Sequence, residues 1–369
     1  MTRHVLCLDG TNNYPNGGYT NIQRLFRMLK RDEAQLTYYQ PGVGTLEPGS
    51  VTSGVAKRAL MLVDSMSALY IERHVCAAYR YLMAHWQEGD ELYLFGFSRG
   101  AFAARVLAGM LTRVGLLHPG FDEMVAFAWK AYLAPWAPGE DSGANFQRHY
   151  GRYIPEIRFI GLFDSVSAVG LPWLPKRFAY TFDNPRVRCV RQAFALDEHR
   201  VMFVQNRWSD QPRAGQTDVQ QVWFAGGHSD VGGGYAQAEA GLSLITLGWM
   251  KREAERVGLS FKPKVSEQVL GIEASDNDDL LRQLTAAHAQ APQHDELALR
   301  RWWWLLEVLP VPRMRRVNDD DWLRVWQFNR GRPRRPHQDV PIQVHRSVEL
   351  RRQGGYQPLA PLTNPVFVD

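Results

Sequence analysis

The stretch LYLFGFSRGA occupies residues 92–101. Its first four residues are apolar and predict a buried strand, and the residues after it predict an amphipathic helix over 99–114. Between the two, Gly96 and Gly100 flank Ser98 in a Gly-x-Ser-x-Gly pattern. A serine on such a strand-to-helix turn is exposed at the end of a sheet, and the flanking glycines prevent steric collision. The stretch therefore predicts a nucleophilic serine on a strained turn.

The other elements are predicted from the spacing of the apolar residues. Short apolar runs predict strands at 5–8, 36–39, 157–163 and 222–225. Helical spacing predicts helices at 22–29, 55–86, 187–196 and 242–257. We expect Asn21 to cap the first of these helices.

Strands that alternate with helices predict an α/β fold, in which helices cover both faces of a mostly parallel sheet. The serine turn makes this an α/β-hydrolase-like fold. We predict a catalytic core over residues 1–262. Residues 263–369 are rich in tryptophan and arginine, and we expect them to form a helical cap or C-terminal elaboration packed on that core.

Net charge, cysteine content and the lengths of the apolar runs indicate what kind of protein this is, but they do not identify a partner. The formal net charge is only +5, so we expect no nucleic-acid partner. The three cysteines, Cys7, Cys76 and Cys189, have mostly apolar neighbours, and we expect buried free thiols. No apolar signal-peptide core follows Met1, and no apolar run reaches the roughly 18 residues that span a bilayer. We therefore expect a soluble, cytoplasmic protein, whose export would not use a cleaved signal peptide.

A serine hydroxyl needs a base to take its proton, and in this fold class an acid and then a histidine follow the serine along the chain. Asp164 ends the strand predicted at 157–163. His228 follows the strand at 222–225, in a loop with glycines on both sides. We predict Ser98 as nucleophile, Asp164 as acid and His228 as base.

An oxyanion hole needs backbone donors, each worth roughly 3 kcal/mol. The amide of Arg99 is the first candidate, since it directly follows Ser98. Gly10 or Thr11, in the turn after the first strand, is the second. In the same turn, Asp9 could brace the backbone or bind a cation.

Two residues compete for the predicted roles. Asp230 could replace Asp164 as the acid, hold its own loop by bonding backbone amides, or ligate a cation. His199 could replace His228 as the base, but its charged surroundings favour a surface position.

Several motifs together are similar to a known family. The chain resembles the uncharacterised α/β-hydrolase family that includes phospholipase effectors of the bacterial type VI secretion system. The matching pieces occur in the family's order: LDGTN at 8–12, YYQPGVGT at 38–45, GFSRGA at 96–101, FDSV at 163–166, WFAGGHSDVGGGY at 223–235, HRSV at 345–348 and YQP at 356–358.

The resemblance implies the same roles for Ser98, Asp164 and His228. Since the sequence has no His-x-His or His-Glu-x-x-His pattern, we expect no metal or other cofactor. It implies an acyl-ester substrate, with glycerophospholipids as the best-known case. It also makes the secretion machinery or an immunity protein a candidate partner. The chain departs from the larger effectors because it has no room for sizeable membrane-anchoring domains. Phospholipid specificity and export therefore stay open.

The stretch RRWWWLLEVL at 300–309 is apolar and aromatic with basic flanks. Three consecutive tryptophans cannot share one face of a helix, so we favour packing of a cap against the core. The alternative is a lid that contacts lipid, which would give the protein peripheral membrane contact.

Other functions remain as alternatives. Asp9, His228 and Asp230 could serve a metal-dependent hydrolase, and a hydrolase scaffold could also act as a non-catalytic binding protein. A phosphatase of the haloacid-dehalogenase type is disfavoured, because Cys7 stands where its nucleophilic aspartate is required.

Overall fold

The computed structural model describes residues 1–10, 19–42, 68–135, 141–166, 178–209, 218–274, 276–316, 322–336 and 341–369. The strands are β1 Arg3–Leu8, β2 Gln35–Gln40, β3 Glu91–Phe97, β4 Leu116–Leu117, β5 Gly151–Tyr153, β6 Ile157–Phe163, β7 Cys189–Ala195, β8 Asp218–Phe224, β9 Pro310–Arg316, β10 Trp322–Phe328, β11 Ile342–His345 and β12 Pro365–Val368. Eight of them form one sheet in the order β12-β11-β8-β7-β6-β3-β1-β2. Every pair of neighbours in that sheet is parallel.

Helices connect and cover these strands. They are α1 Asn21–Met28, α2 Ala68–His85, α3 Arg99–Val114, α4 Val125–Leu133, α5 Ser142–Tyr150, α6 His228–Gly232, α7 Gly241–Arg256, α8 Pro263–Leu270, α9 Asn277–His288, α10 Glu296–Leu299, α11 Trp304–Glu307 and α12 Arg346–Gln353. Short 3₁₀ turns occur at Asp122–Met124, Gln237–Glu239 and Arg301–Trp303.

The core has two main layers because side chains alternate across a strand. In β3, Leu92 and Leu94 pack in the cluster that contains α2 and α3. Tyr93 and Phe95 point to the other face and pack in the cluster that contains α1 and α7. Helices therefore cover both faces of the parallel sheet, which confirms the predicted fold class.

Two local predictions are wrong. Residues 187–196 contain the fully buried strand β7 rather than a helix. The polar side chains in this strand have partners from distant elements: Arg191 pairs with Glu253, and Gln192 accepts from Arg105. The N-cap of α1 is Thr20 rather than Asn21, and a reciprocal capping box joins it to Gln23.

The other predicted elements agree with the structure within a few residues at their ends, and the part of the predicted helix at 55–67 lies outside the described residues. All three cysteines are buried and free, as predicted. Beyond residue 262 the chain adds helices, the antiparallel pair β9–β10, and the last two strands of the main sheet. The division at residue 262 stays a prediction, although strands on both sides of it belong to one sheet.

Candidate active site

Ser98 lies on the tight turn between β3 and α3, where the strand ends. Its backbone has φ 58° and ψ −122°, in the positive-φ region that residues other than glycine rarely adopt. A Cβ atom on Gly96 would lie 2.5 Å from the backbone of Ala101, and one on Gly100 would lie 2.2 Å from the carbonyl oxygen of Leu8. The turn therefore needs glycine on both sides of the serine.

His228 and Asp164 form a short buried hydrogen bond. The distance from Nδ1 of His228 to Oδ2 of Asp164 is 2.5 Å. Asp164 directly follows β6 and is fully buried, and His228 begins α6 a few residues after β8. Because a carboxylate only accepts, Nδ1 carries the proton of this bond. The Nε2 atom of His228 is then the ring nitrogen able to accept a proton.

Aromatic packing and backbone bonds hold this pair beside the serine turn. The ring of His228 stacks on Phe97, the residue before Ser98, with centroids 4.7 Å apart. The N–H of Ser98 donates to the carbonyl oxygen of Phe163, the residue before Asp164, over 3.0 Å. The three predicted residues therefore follow β3, β6 and β8, whose carboxyl ends lie at the same edge of the sheet.

Arg334 is a site residue that the sequence analysis missed. Its Nη1 lies 2.5 Å from Oδ1 of Asp164, and its Nη2 lies 2.9 Å from Oδ2. The two residues are 170 positions apart, and Arg334 reaches the acid from the segment between β10 and β11. Its neighbours in the sequence RPRRP at 332–336 are also arginine and proline, so no local signal distinguishes it.

These contacts set the ionisation of the pair. Burial disfavours the carboxylate of Asp164, but Arg334 and His228 outweigh burial and hold the pKa of Asp164 well below its ordinary range. Burial lowers the pKa of His228, and this outweighs the opposing effect of Asp164. At neutral pH the site therefore holds an ionised Asp164 and a neutral His228.

A second buried carboxylate supports His228. Glu198 accepts from the N–H of His228 over 3.3 Å and pairs with Arg200, with Oε2 to Nη2 at 2.6 Å. Burial opposes its ionisation, but Arg200 outweighs burial and lowers the pKa of Glu198 to about 2. Arg200 covers the ring of Phe203, whose own ring meets His228 edge-on at 4.7 Å. Two aromatic rings thus pack against the imidazole of His228. The carboxylate of Asp164 bonds its side chain, and the carboxylate of Glu198 bonds its backbone N–H.

Asp230 braces the histidine loop. Its Oδ2 accepts from the N–H groups of Gly227 and His294 over 2.9 and 3.0 Å. Its Oδ1 lies 2.8 Å from Nδ1 of His294. Of the two candidate acids, the one bonded to His228 is Asp164, while Asp230 bonds backbone amides.

Asp9 has a similar bracing role after β1. Its Oδ2 accepts from the hydroxyls of Thr20 and Tyr39, both over 2.8 Å. Its Oδ1 accepts from the N–H of Gly10 over 2.7 Å. The amide of Gly10 therefore already has an acceptor in this structure.

The candidate oxyanion donors have different positions. Arg99 is the first residue of α3, so its amide lies at the N-terminus of that helix. Thr11 lies outside the described residues. The oxyanion roles of Arg99, Gly10 and Thr11 stay predictions.

The described part of the chain gives no support to the alternative base, His199, or to the alternative metal site of Asp9, His228 and Asp230. His199 is half-buried rather than on the surface, and it bonds Asp295 over 2.9 Å and the carbonyl oxygen of Gly331 over 3.2 Å. The described residues contain no cluster of three His, Cys, Asp or Glu side chains arranged to bind a metal ion.

The three tryptophans divide between core and surface. Trp303 is buried and packs edge-on against Phe203, with ring centroids 5.5 Å apart. Trp302 and Trp304 are 39% and 44% exposed. Of these three tryptophans, only Trp303 therefore has the buried packing that we favoured. Within the described residues, no helix combines the length and the apolar character needed to cross a bilayer.

Comparison with known proteins gives a family and several relatives. Residues 2–253 match the family described as T6SS, phospholipase effector Tle1-like, catalytic domain. The chain is 40% identical over 226 residues to the uncharacterized protein YEL023C of Saccharomyces cerevisiae. That alignment covers 56% of this chain and 33% of the yeast protein, so the chain matches about a third of that relative's length.

Two solved structures are distantly similar. An uncharacterized protein from Pseudomonas aeruginosa has a TM-score of 0.41 and 19% identity, covering 78% of this chain and 53% of that one. The Tle1 effector bound to the VgrG spike of the type 6 secretion system has a TM-score of 0.49 and 16% identity, covering 83% of each chain. The family match spans well over half of the sequence, and the chain belongs to the family of Tle1-like phospholipase effector catalytic domains of the type VI secretion system.

Proposed function

We propose that this protein is a serine hydrolase that cleaves acyl esters of glycerophospholipids. The observation that carries the proposal is the 2.5 Å bond between His228 and Asp164, with the His228 ring stacked through Phe97 against the strained turn of Ser98. Membership of a phospholipase effector family favours a lipid ester over other esters.

The proposed reaction is acyl transfer through a covalent intermediate. Nε2 of His228 takes the proton of the Ser98 hydroxyl as Oγ attacks the ester carbonyl carbon. The carbonyl oxygen becomes an oxyanion, for which the amide of Arg99 is the first donor. When the tetrahedral intermediate collapses, the ester C–O bond breaks and His228 returns the proton to the leaving alcohol. Water then attacks the acyl-enzyme with the same proton relay and releases the fatty acid.

Asp164 has two proposed roles in this cycle. Its bond to Nδ1 fixes the tautomer in which Nε2 of His228 is free to accept a proton. Its negative charge stabilises the imidazolium that forms when His228 takes the serine proton. The depressed pKa of Asp164, which Arg334 maintains against burial, keeps that charge present throughout the working pH range.

We propose peripheral contact with lipid through an exposed apolar surface. Its members all lie within residues 299–309, with exposures from 39% to 68%: Leu299, Trp302, Trp304, Leu305, Val308 and Leu309. Clustered exposed apolar side chains mark interaction sites, and the flanking Arg300 and Arg301 suit anionic headgroups. Family membership also makes secretion machinery and an immunity protein candidate partners.

The test is hydrolysis of phospholipids and short-chain nitrophenyl esters by purified wild-type protein, Ser98→Ala and Ser142→Ala. Ser142 is an exposed serine and serves as the matched control. We expect Ser98→Ala to lower kcat/KM by about four orders of magnitude or more, and Ser142→Ala to match the wild type.

The other outcomes separate the alternatives. Wild-type rates in Ser98→Ala would refute the serine mechanism. If those rates also disappeared in a chelator, a metal-dependent hydrolase would replace it. Absence of turnover on every ester, together with tight lipid binding, would favour a non-catalytic binding protein.

A further inference from the structure

We propose that Arg334 is a positioning residue of the active site, whose clamp on Asp164 fixes the orientation and the electrostatic effect of the Asp164–His228 pair. This inference rests on the proposed function. Arg334 lies beyond residue 253, where the match to the family ends, so a later segment of the chain would complete the catalytic machinery.

The clamp is bidentate and buried. Nη1 and Nη2 of Arg334 bond the two oxygens of Asp164 separately, over 2.5 and 2.9 Å. The planar guanidinium matches this fork-to-fork geometry, which a lysine cannot reproduce. The side chains of Arg334 and Asp164 are 4% and 0% exposed, so solvent does not replace either bond.

Other bonds fix the guanidinium itself. Its Nε and Nη2 donate to the carbonyl oxygen of Phe203 over 3.0 and 2.6 Å. The segment before it is held by the buried Glu307, whose Oε2 accepts from Nδ2 of Asn329 over 2.6 Å and from the N–H of Gly331 over 3.0 Å. Several hydrogen bonds therefore fix the position of Arg334, and Arg334 can in turn fix the position of Asp164.

The clamp fixes the orientation of the Asp164 carboxylate relative to His228. Oδ1 of Asp164 accepts from Nη1 of Arg334 and, over 3.1 Å, from the N–H of Ala195. Oδ2 is shared by Nη2 of Arg334 and Nδ1 of His228. The carboxylate cannot rotate without breaking one of these bonds, so the imidazole keeps one orientation toward the serine turn.

The clamp also changes the charge that His228 experiences. Arg334 largely balances Asp164, so an imidazolium beside this pair is stabilised less than beside a carboxylate alone. Of the other charged groups near the ring, Glu198 pairs with Arg200 at its backbone, and Asp230, which shares its helix, bonds His294 and the N–H of Gly227. Removing the charge of Arg334 would therefore favour protonation of His228.

The consequence is a predicted shift in pH dependence. Catalysis needs neutral His228, so kcat/KM falls as the pH drops through its pKa. Arg334 and His228 bond the same carboxylate oxygen, so their nitrogens are about 5 Å apart. At an effective dielectric constant of about 20, loss of one positive charge at that distance raises the pKa of His228 by about two units. The acidic limb of the profile would move upward by that amount.

The test compares pH profiles of kcat and KM for wild type, Arg334→Met, Arg334→Lys and Arg332→Gln. Methionine removes the charge, lysine keeps it without the fork, and Arg332 is an exposed arginine two positions away. For Arg334→Met we expect kcat to fall about 100-fold with little change in KM, and the acidic limb to rise by about two pH units. Lysine should return the limb toward its wild-type position while restoring only part of kcat. Arg332→Gln should match the wild type.

An Arg334→Met profile identical to the wild type, while Ser98→Ala is inactive, would overturn the inference and leave the proposed function intact. Full activity of Ser98→Ala would instead refute the proposed function. If Arg334→Met does not fold, Arg334→Lys decides, because lysine keeps the charge without the fork. A lowered kcat in Arg334→Lys would support the inference, and a kcat equal to that of the wild type would overturn it.

Discussion

Replacing Glu198 by glutamine tests whether buried charge holds the histidine loop in place. The carboxylate of Glu198 bonds Arg200 through its Nε, over 2.9 Å, and through Nη2, over 2.6 Å, and it accepts from the N–H of His228. Glutamine keeps the size of the side chain but removes its charge. Arg200, only 6% exposed at its side chain, then loses its nearest counter-charge.

The magnitude follows from the pKa of Glu198. It falls from 4.5 to about 2 in the folded protein, a difference of about 2.5 units. At 1.36 kcal/mol per unit, this corresponds to about 3 kcal/mol of the free energy of unfolding at neutral pH. Breaking a buried ion pair by removing one partner costs about the same amount. We therefore expect Glu198→Gln to unfold about 3 kcal/mol more easily at pH 7.

The difference in the free energy of unfolding between wild type and Glu198→Gln should decrease as the pH falls. A carboxyl whose folded pKa is depressed stabilises the fold above its unfolded pKa, and this contribution is lost as the pH falls toward the folded pKa. The gap between wild type and Glu198→Gln should thus shrink below pH 4.5 and be about 1.4 kcal/mol at pH 3.

The assay is urea unfolding of both proteins at pH 7 and pH 3. Glu156→Gln is the matched control, because Glu156 forms an exposed ion pair with Arg188 and should change stability by less than about 1 kcal/mol. Equal stability of Glu198→Gln and wild type at pH 7, or a gap that does not narrow at pH 3, would refute the reasoning.

Two further perturbations test the turn and the apolar surface. Gly100→Ala should lower stability by about 3 kcal/mol or more in urea unfolding, because its Cβ would meet the carbonyl oxygen of Leu8 at 2.2 Å. Gly89 has a positive φ, but an added Cβ would meet open space, so Gly89→Ala should lower stability by only about 1 to 2 kcal/mol. Equal losses of stability in the two variants would contradict the clash at Gly100. Leu305→Ser, on the apolar surface, should weaken binding to phosphatidylglycerol vesicles about tenfold in a sedimentation assay. Leu359→Ser, at an exposed leucine elsewhere, should not, and equal effects would argue against that surface.

Local signals in the sequence predicted most of the sheet and the residues proposed for catalysis. The serine turn is visible because its glycines are a steric requirement that appears in the sequence itself. Asp164 and His228 are visible because each follows an apolar run, and parallel strands place their carboxyl ends at one edge. The fold class followed from the same alternation of strands and helices.

The error at β7 and the omission of Arg334 arise where distant partners decide the local structure. Strand β7 carries Arg191 and Gln192, which an isolated segment could not bury. The strand buries them because Glu253 and Arg105 supply partners from other elements. Arg334 is the same case at the site, since its role depends on Asp164, which lies 170 positions away. No pattern of neighbouring residues encodes such a pairing.

Labelling with a fluorophosphonate probe, followed by mass spectrometry of the peptides, tests the central claim most directly. The account predicts one modified residue, Ser98, with labelling lost in His228→Ala because the hydroxyl then has no base. Wild-type protein that hydrolyses phospholipids yet carries the label on another residue, or carries none, would contradict it.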